Sequence, residues 1–287
     1  MAQRGHTQPL RARIRTVLAA NPPAARLIHE TLFAKALPWV RIRAVRRSGE
    51  PGADGLARAV EAITGRGIPS DEADWMERIE RYRDQFAARG EPIRIKRAMG
   101  ESAEYRPLHF ARVSSIHRPW GAFLMRLARE LRPRSCVELG TAIGISAAYQ
   151  GAALDLNGEG RLRTVEGSPQ LAELARETLD AMQISRVEVI EGRFDDVLDG
   201  VLAEAAPVDL AYLDAGKARE HNLRQFERLL PHLAPGAALV MDDIHWSREM
   251  KGAWREIRAH ERVALSVDLW RLGACFIRTD SPSARMG

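Results

Sequence analysis

The stretch CVELGTAIGIS, residues 136–146, combines a carboxylate with a glycine-containing turn. Gly140 and Gly144 let the backbone turn tightly and approach a ligand closely. A dinucleotide fingerprint reads G-x-G-x-x-G, but the residue two after Gly140 is Ala142, so the match fails. The carboxylate of Glu138, near the loop, would repel a pyrophosphate and attract a cation. The loop therefore predicts a cationic ligand without phosphate, and S-adenosylmethionine, which carries a sulfonium and an ammonium group, has that chemistry.

An acidic residue ends the apolar run that follows the loop. Glu166 lies 22 residues beyond Gly144, at a position from which it can accept hydrogen bonds from both ribose hydroxyls of the donor. Gly167 and Ser168 begin the next helix, where Ser168 has the alternative role of a helix N-cap that needs no ligand.

The sequence EGRFDD, residues 191–196, follows the third apolar run. We predict that Phe194 covers one face of the adenine and that Asp195 accepts a hydrogen bond from the adenine amino group. In the alternative interpretation, Asp195 is an acidic residue at a helix start and Phe194 belongs to the core.

Short apolar runs alternate with helical stretches of about 10–15 residues from residue 119 onward, a pattern typical of a doubly wound parallel α/β sheet. The last two runs, RVALSVDL and LGACFIR, are separated only by Trp270 and Arg271. So short a link permits a hairpin but no parallel crossover. We therefore predict a Rossmann-like sheet of seven strands, mostly parallel, with an antiparallel last strand.

The chain divides into two predicted regions. Residues 1–118 contain helical patterns, one of them beginning at Pro22 and Pro23. We predict a mainly helical N-terminal region that covers the acceptor, forms a homodimer, or does both. Residues 119–280 form the predicted donor-binding domain. On this division, removal of residues 1–90 would preserve donor binding and abolish turnover.

Composition restricts the class of protein. Of 287 residues, 45% are hydrophobic and 28% are charged, as in soluble globular proteins, and no apolar run approaches the length of a membrane span. Both cysteines lie in apolar runs, which suits reduced thiols. We predict a cytoplasmic protein without a membrane partner.

Basic residues are concentrated near the N-terminus. Residues 1–50 carry a charge of +8 within a chain of net charge +5. Such an arm can bind RNA or an acidic substrate. However, only four of the 43 basic residues are lysines, which indicates a general bias toward arginine, and we predict no nucleic-acid partner.

Several segments occur in a fixed order at predicted strand ends: VELGTAIGIS, TVEGSPQLAELARETL, VIEGRFDDVL, VDLAYLDAGK, LLPHLAPGAALVMDD and LGACFIR. Together they resemble class I methyltransferases, most of all the catechol and caffeoyl-CoA O-methyltransferase branch. The resemblance covers residues 119–278.

The resemblance implies a Mg²⁺-type ion held by Asp214, Asp242 and Asp243, since these positions match the metal ligands of that branch. Such an ion lowers the pKa of an acceptor hydroxyl and orients its oxygen. Lys217 matches the lysine of the family, a general base if its pKa is lowered. Asp243 stands where the family has Asn, and Gly216 where it has a larger residue, which leaves open a metal-free site that uses these acids as hydrogen-bond acceptors.

Two aromatic residues follow the acidic pair. His245 is the alternative general base, and Trp246 is either a wall for a planar acceptor or helix-start packing. His117 and Trp120, which precede the predicted sheet, belong either to a lid over the donor or to the core.

The predicted function is therefore transfer of a methyl group from S-adenosylmethionine, with a small-molecule hydroxyl as acceptor. The alternatives are a metal-independent small-molecule methyltransferase with a histidine base, and an RNA or protein methyltransferase that uses the basic arm. Lys217 and His245 are the predicted catalytic residues. The predicted donor-binding residues are Glu138, Gly140, Thr141, Gly144, Ser146, Glu166, Gly167, Ser168, Gly192, Arg193, Phe194, Asp195 and Asp214.

Overall fold

The computed structural model describes residues 38–96 and 102–279. The predicted helix that begins at Pro22 therefore falls largely outside the described residues. The helices are α1 (Pro38–Arg47), α2 (Ala53–Ala62), α3 (Ser70–Ala87), α4 (Pro107–His109, continued as a π-helical turn over Phe110–Ser114), α5 (Arg118–Leu131), α6 (Ile145–Asn157), α7 (Pro169–Ala181), α8 (Phe194–Ala205), α9 (Arg219–Leu229) and α10 (Arg248–Ala259). The strands are β1 (Ile93–Lys96), β2 (Ser102–Tyr105), β3 (Ser135–Leu139), β4 (Arg161–Glu166), β5 (Val187–Glu191), β6 (Val208–Leu213), β7 (Leu233–Met241), β8 (Val263–Asp268) and β9 (Gly273–Ile277).

Seven of the described strands form one sheet, in the order β5-β4-β3-β6-β7-β9-β8. Neighbours from β5 through β7 are parallel, while β9 runs antiparallel to both β7 and β8. The predicted doubly wound sheet with an antiparallel last strand is confirmed. The order reverses beside β3, so ligands are expected at the carboxyl ends of β3, β4 and β6.

Helices cover both faces of the sheet, and the side-chain alternation of the strands separates two hydrophobic clusters. In β3, Cys136 belongs to the cluster under α5 and α6, while Val137 and Leu139 belong to the cluster under α8, α9 and α10. This two-residue period places Glu138 on the Cys136 face, beneath α6.

The N-terminal helices share the core of the sheet. Leu56 and Val60 of α2, with Ile79 and Phe86 of α3, are almost wholly buried in the cluster that also contains Phe123 of α5. Removal of residues 1–90 would uncover these contacts. The structure therefore changes the expected result of that deletion from loss of turnover alone to loss of stability.

A short antiparallel hairpin, β1 with β2, lies between α3 and α4. The sequence predicted a mainly helical region here and did not reveal the hairpin, because strands of four residues contain too few alternations to establish a period. None of the described helices combines the length and the apolar character needed to cross a membrane.

Candidate active site

The loop after β3 is pressed against the end of β6. Gly140 has φ +98°, and a Cβ there would lie 2.4 Å from the backbone oxygen of Asp214. Gly144 has φ +83°, and its Cβ would lie 3.1 Å from the Cα of Ala175 in α7. Both positions require glycine, because only glycine combines a left-handed conformation with so close an approach.

Glu138 supports this loop from beneath. Its carboxylate accepts hydrogen bonds from Gln150 Nε2 at 3.0 Å and from Thr164 Oγ1 at 2.5 Å. Thr141 Oγ1 lies 2.5 Å from the same Thr164 hydroxyl. Burial raises the pKa of Glu138 to about 7, although hydrogen bonds from Thr164, Ser146 and Gln150 oppose the rise. Because Glu138 is wholly buried and only partly ionised near neutral pH, the predicted direct attraction of a cationic ligand does not fit its position.

Glu166 joins the loop to the start of α7. Its carboxylate accepts from the backbone N–H of Ala142 at 2.8 Å and from that of Ser168 at 2.9 Å. Ser168 also accepts from Leu171 N–H, so it caps α7, as its alternative role required. The predicted contact of Glu166 with the ribose hydroxyls stays a prediction.

The segment after β5 matches the alternative reading more closely. Phe194 is half-buried against the second cluster, with its ring 5.9 Å from that of His221. Asp195 is exposed in the first turn of α8, 3.6 Å from Arg224 and 3.8 Å from Arg228. Gly192 and Arg193 form the turn that leads into α8. The adenine contacts of these residues stay predictions.

Three carboxylates meet at the ends of β6 and β7. Asp214, Asp242 and Asp243 each offer an oxygen within 4.8 Å of the others. Asp243 has φ +55°, a left-handed conformation that turns the chain directly after the strand. The sequence prediction that these acids lie together is consistent with this geometry.

Arg271 binds the first acid of the pair from the turn between β8 and β9. Its Nε lies 2.9 Å from Asp242 Oδ1 and its Nη2 lies 3.0 Å from Asp242 Oδ2. Both side chains are at least 95% buried. Burial alone would raise the pKa of Asp242, but the guanidinium outweighs it and lowers the pKa to about 2.

Lys217 bridges the other two acids. Its ammonium lies 3.0 Å from Asp214 Oδ1 and forms a shorter ion pair with Asp243 Oδ2. Burial lowers the pKa of Lys217, but Asp214, Asp243 and Asp242 together raise it above its usual value. The condition under which Lys217 would be a general base, a lowered pKa, is therefore not met here. Burial raises the pKa of Asp214 to about 6, and Lys217 limits the rise.

The three carboxylates do not fit a divalent ion in this arrangement. A Mg²⁺-type ion needs oxygen ligands with free lone pairs at about 2.0–2.1 Å. Asp242 directs both oxygens to Arg271, and the Lys217 ammonium already lies against the remaining two carboxylates.

His245 is held beside the acid cluster by residues of the last hairpin. Its Nε2 lies 2.9 Å from Asp268 Oδ2, and its ring stacks on Trp270 with centroids 4.7 Å apart. Its Nδ1 is buried without a hydrogen-bond partner among the described residues. Trp246 is 53% exposed, and its ring lies 6.0 Å from the Lys217 ammonium.

Arg271 and Asp268 were not among the predicted site residues. The sequence offered little reason to select them, because Arg271 lies in the short link of the predicted hairpin and Asp268 lies at the end of its first strand. By contrast, Trp120 is buried in the core, and His117 contacts the carbonyl of Arg112 at 3.1 Å. Core packing is therefore the better account of Trp120.

Comparison with known proteins assigns the domain. Residues 137–244 match the family model described as a methyltransferase domain. Residues 137–244 are therefore similar to methyltransferase domains. The matched residues run from β3 through the acidic pair after β7, so they include the glycine loop, Glu166 and all three carboxylates. The resemblance to class I methyltransferases is confirmed for the domain.

Individual relatives are more distant. A transmembrane O-methyltransferase of Homo sapiens is 34% identical over 131 residues, which are 43% of this chain and 43% of that protein. A Mycolicibacterium vanbaalenii protein with the provisional name O-methyltransferase is 30% identical over 124 residues, 42% of this chain and 52% of that protein. The chain spans about half the length of the curated relatives it matches.

The methyltransferase fold is also found in solved structures. An O-methyltransferase of Bacillus cereus in complex with S-adenosylhomocysteine superposes with a TM-score of 0.53 at 21% identity, over 75% of this chain and 96% of that one. At this identity the likeness establishes the fold alone.

Proposed function

We propose that this protein transfers a methyl group from S-adenosylmethionine to the hydroxyl of a small molecule. The observation that carries the proposal is the tight junction of the Gly140 loop with the end of β6. This junction brings the Gly140 loop to the same edge of the sheet as the acid cluster of Asp214, Asp242 and Asp243. That cluster keeps a net negative charge beside Lys217 and Arg271. A sulfonium donor is cationic and lacks phosphate, so it complements such an edge.

The carboxyl ends of β3, β4 and β6 supply different parts of the proposed donor site. The loop backbone approaches the donor, Glu166 accepts hydrogen bonds from the ribose hydroxyls, and Asp214 borders the sulfonium. Methyl transfer is an in-line displacement, so these groups act mainly by holding the sulfur, the methyl carbon and the acceptor oxygen in line.

We expect Glu166→Ala to weaken S-adenosylmethionine binding by at least about tenfold, because it removes the proposed hydrogen bonds to ribose and loosens the loop. The measurement is calorimetric titration of purified protein with the donor. Glu191→Ala is the matched control, since that carboxylate ends the next strand, is exposed and reaches Arg176 only at 3.8 Å. Equal donor affinity in wild type and Glu166→Ala would contradict the assignment.

The acceptor is proposed to lie between the donor and the loop after β7. The exposed face of Trp246, close to the Lys217 ammonium, supports a planar, electron-rich acceptor such as a phenol. Two relatives of this chain are named as O-methyltransferases, which supports oxygen as the methylated atom.

We propose His245 as the group that removes the hydroxyl proton, because Lys217 is held as an ammonium by its carboxylates. Asp268 fixes the orientation of the imidazole through Nε2, which leaves Nδ1 as the proton-accepting atom. Because Nδ1 is buried, the acceptor hydroxyl must displace the side chains that cover it. Asp268 is then a positioning residue.

We expect His245→Ala to lower kcat by about 100-fold or more, the usual range for loss of a general base, with donor affinity unchanged. Asp268→Asn should lower kcat less and leave the KM for the donor unaltered. Both are measured with a phenol that the wild-type protein methylates. His232→Ala is the control, because His232 lies in the turn before β7, at the opposite end of that strand. Full turnover in His245→Ala would reject the role.

A further inference from the structure

We propose that Lys217 and Arg271 are resident cations that replace a divalent metal, so that the acid cluster works without one. This inference rests on the proposed function for its catalytic meaning, but its structural basis is independent of it. It departs from the metal site that the family resemblance implied.

Asp242 has little hydrogen-bonding capacity left for an ion. Oδ1 accepts from Arg271 Nε at 2.9 Å and from the backbone N–H of Asp243 at 2.7 Å, which uses both of its lone pairs. Oδ2 accepts from Arg271 Nη2 at 3.0 Å. A metal ion could therefore reach Asp242 only through one remaining lone pair of Oδ2.

Arg271 is held in place by its backbone and by burial. Its backbone carbonyl accepts from Ile244 N–H at 3.0 Å, and its own N–H donates to Leu269 O at 3.0 Å. Its side chain is only 5% exposed. If Asp242 turned to a metal, a buried guanidinium would lose its bidentate partner, and breaking such a buried pair is strongly unfavourable.

Lys217 lies between Asp214 and Asp243. An ion bound to both carboxylates would occupy the position of the ammonium, so metal and lysine are mutually exclusive. Unlike Arg271, Lys217 is 37% exposed and its stem is flexible. The lysine is therefore the component whose removal would open the site.

The net charge of the acid cluster also suits the methyl donor without a metal. Three carboxylates and two cations leave a charge of −1 with all groups ionised, which matches the single net positive charge of S-adenosylmethionine. Replacement of the ammonium by a divalent ion would bring the charge to 0 and would remove this electrostatic complement to the sulfonium. The ammonium can also donate a hydrogen bond to the acceptor oxygen, so it can orient the acceptor as a metal would.

The test is a titration of chelator-dialysed full-length protein with Mn²⁺ alone. Binding is measured by calorimetry and by Mn²⁺ electron paramagnetic resonance. Wild type is expected to bind no Mn²⁺ with Kd below about 1 mM. Lys217→Gln should bind one Mn²⁺ per chain at least about tenfold more tightly, and Lys217→Gln/Asp243→Asn should lose that binding. Lys251→Gln, which removes an exposed lysine of α10, is the matched control and should behave as wild type.

Two results would overturn the proposal. Wild-type binding of one Mn²⁺ with Kd near about 0.1 mM or below, abolished by Asp243→Asn, would show a metal site. Absence of Mn²⁺ binding in Lys217→Gln would show that the lysine is not what excludes the ion. Donor binding by the same metal-free preparations is measured in parallel, and its absence in wild type would count against the proposed function without bearing on the metal result.

Discussion

We expect Gly140→Ala to abolish measurable donor binding and to destabilise the protein by about 3 kcal/mol or more. The new Cβ would lie 2.4 Å from the carbonyl oxygen of Asp214, and φ at this position is +98°. The obstacle is backbone rather than a flexible side chain, so relief requires the loop and the end of β6 to separate. That separation breaks the hydrogen bond from Asp214 N–H to Leu139 O, which is 2.9 Å long.

Gly158→Ala separates the effect of the positive φ from the effect of the close approach to Asp214. Gly158 also has a positive φ, +73°, but a Cβ there meets nothing within 4 Å. The substitution should cost only about 1 kcal/mol and leave donor affinity unchanged, since it follows α6 far from the loop. Calorimetric titration with S-adenosylmethionine and denaturant unfolding measure both effects. Equal losses in the two variants would mean that backbone strain, and not the approach to Asp214, governs the Gly140 position.

Arg83→Met should destabilise the protein by about 3–5 kcal/mol, the range for removal of one partner from a buried charged network. Arg83 is 2% exposed and donates to the carbonyls of Ala111 at 3.0 Å and Ile116 at 2.6 Å, so it stabilises the π-helical turn. It also lies 3.0 Å from Glu80, which accepts from Tyr149 OH of α6 at 2.7 Å. Loss of the guanidinium leaves two buried carbonyls and a carboxylate with one donor fewer each.

Arg81→Met is the control for Arg83→Met, because Arg81 lies on the same helix and is exposed. Its effect should stay within about 0.5 kcal/mol. Thermal unfolding with and without donor is the measurement, and the midpoint of Arg83→Met should fall by about 10 °C. If Arg83→Met unfolds at the wild-type temperature, α3 does not support the core in the way that its contacts indicate.

The Arg83 network also explains why the N-terminal helices are not a separable cap. Through Glu80 and Tyr149, α3 contacts the helix that begins directly after the donor loop. Domain boundaries drawn from a change in sequence pattern, here at residue 119, miss such contacts because side chains that are distant in sequence form them.

The sequence by itself determined the sheet of the methyltransferase domain. Strand period, helix length and the short link around Trp270 and Arg271 are local properties, and each restricts the topology without reference to distant residues. The glycine loop is local in the same way, since the requirement for positive φ at Gly140 and Gly144 is a property of single positions.

The tertiary structure alone decided the electrostatics of the site. Arg271 lies 29 residues from Asp242, and Asp268 lies 23 residues from His245, so no periodicity or motif relates them. Burial decided the state of Glu138. The sequence suggested a carboxylate that attracts a cationic ligand, whereas the fold makes it a partly protonated support of the loop. The physical reason is that charge, solvation and metal affinity depend on which groups meet in space, whereas strands and turns depend on neighbours along the chain.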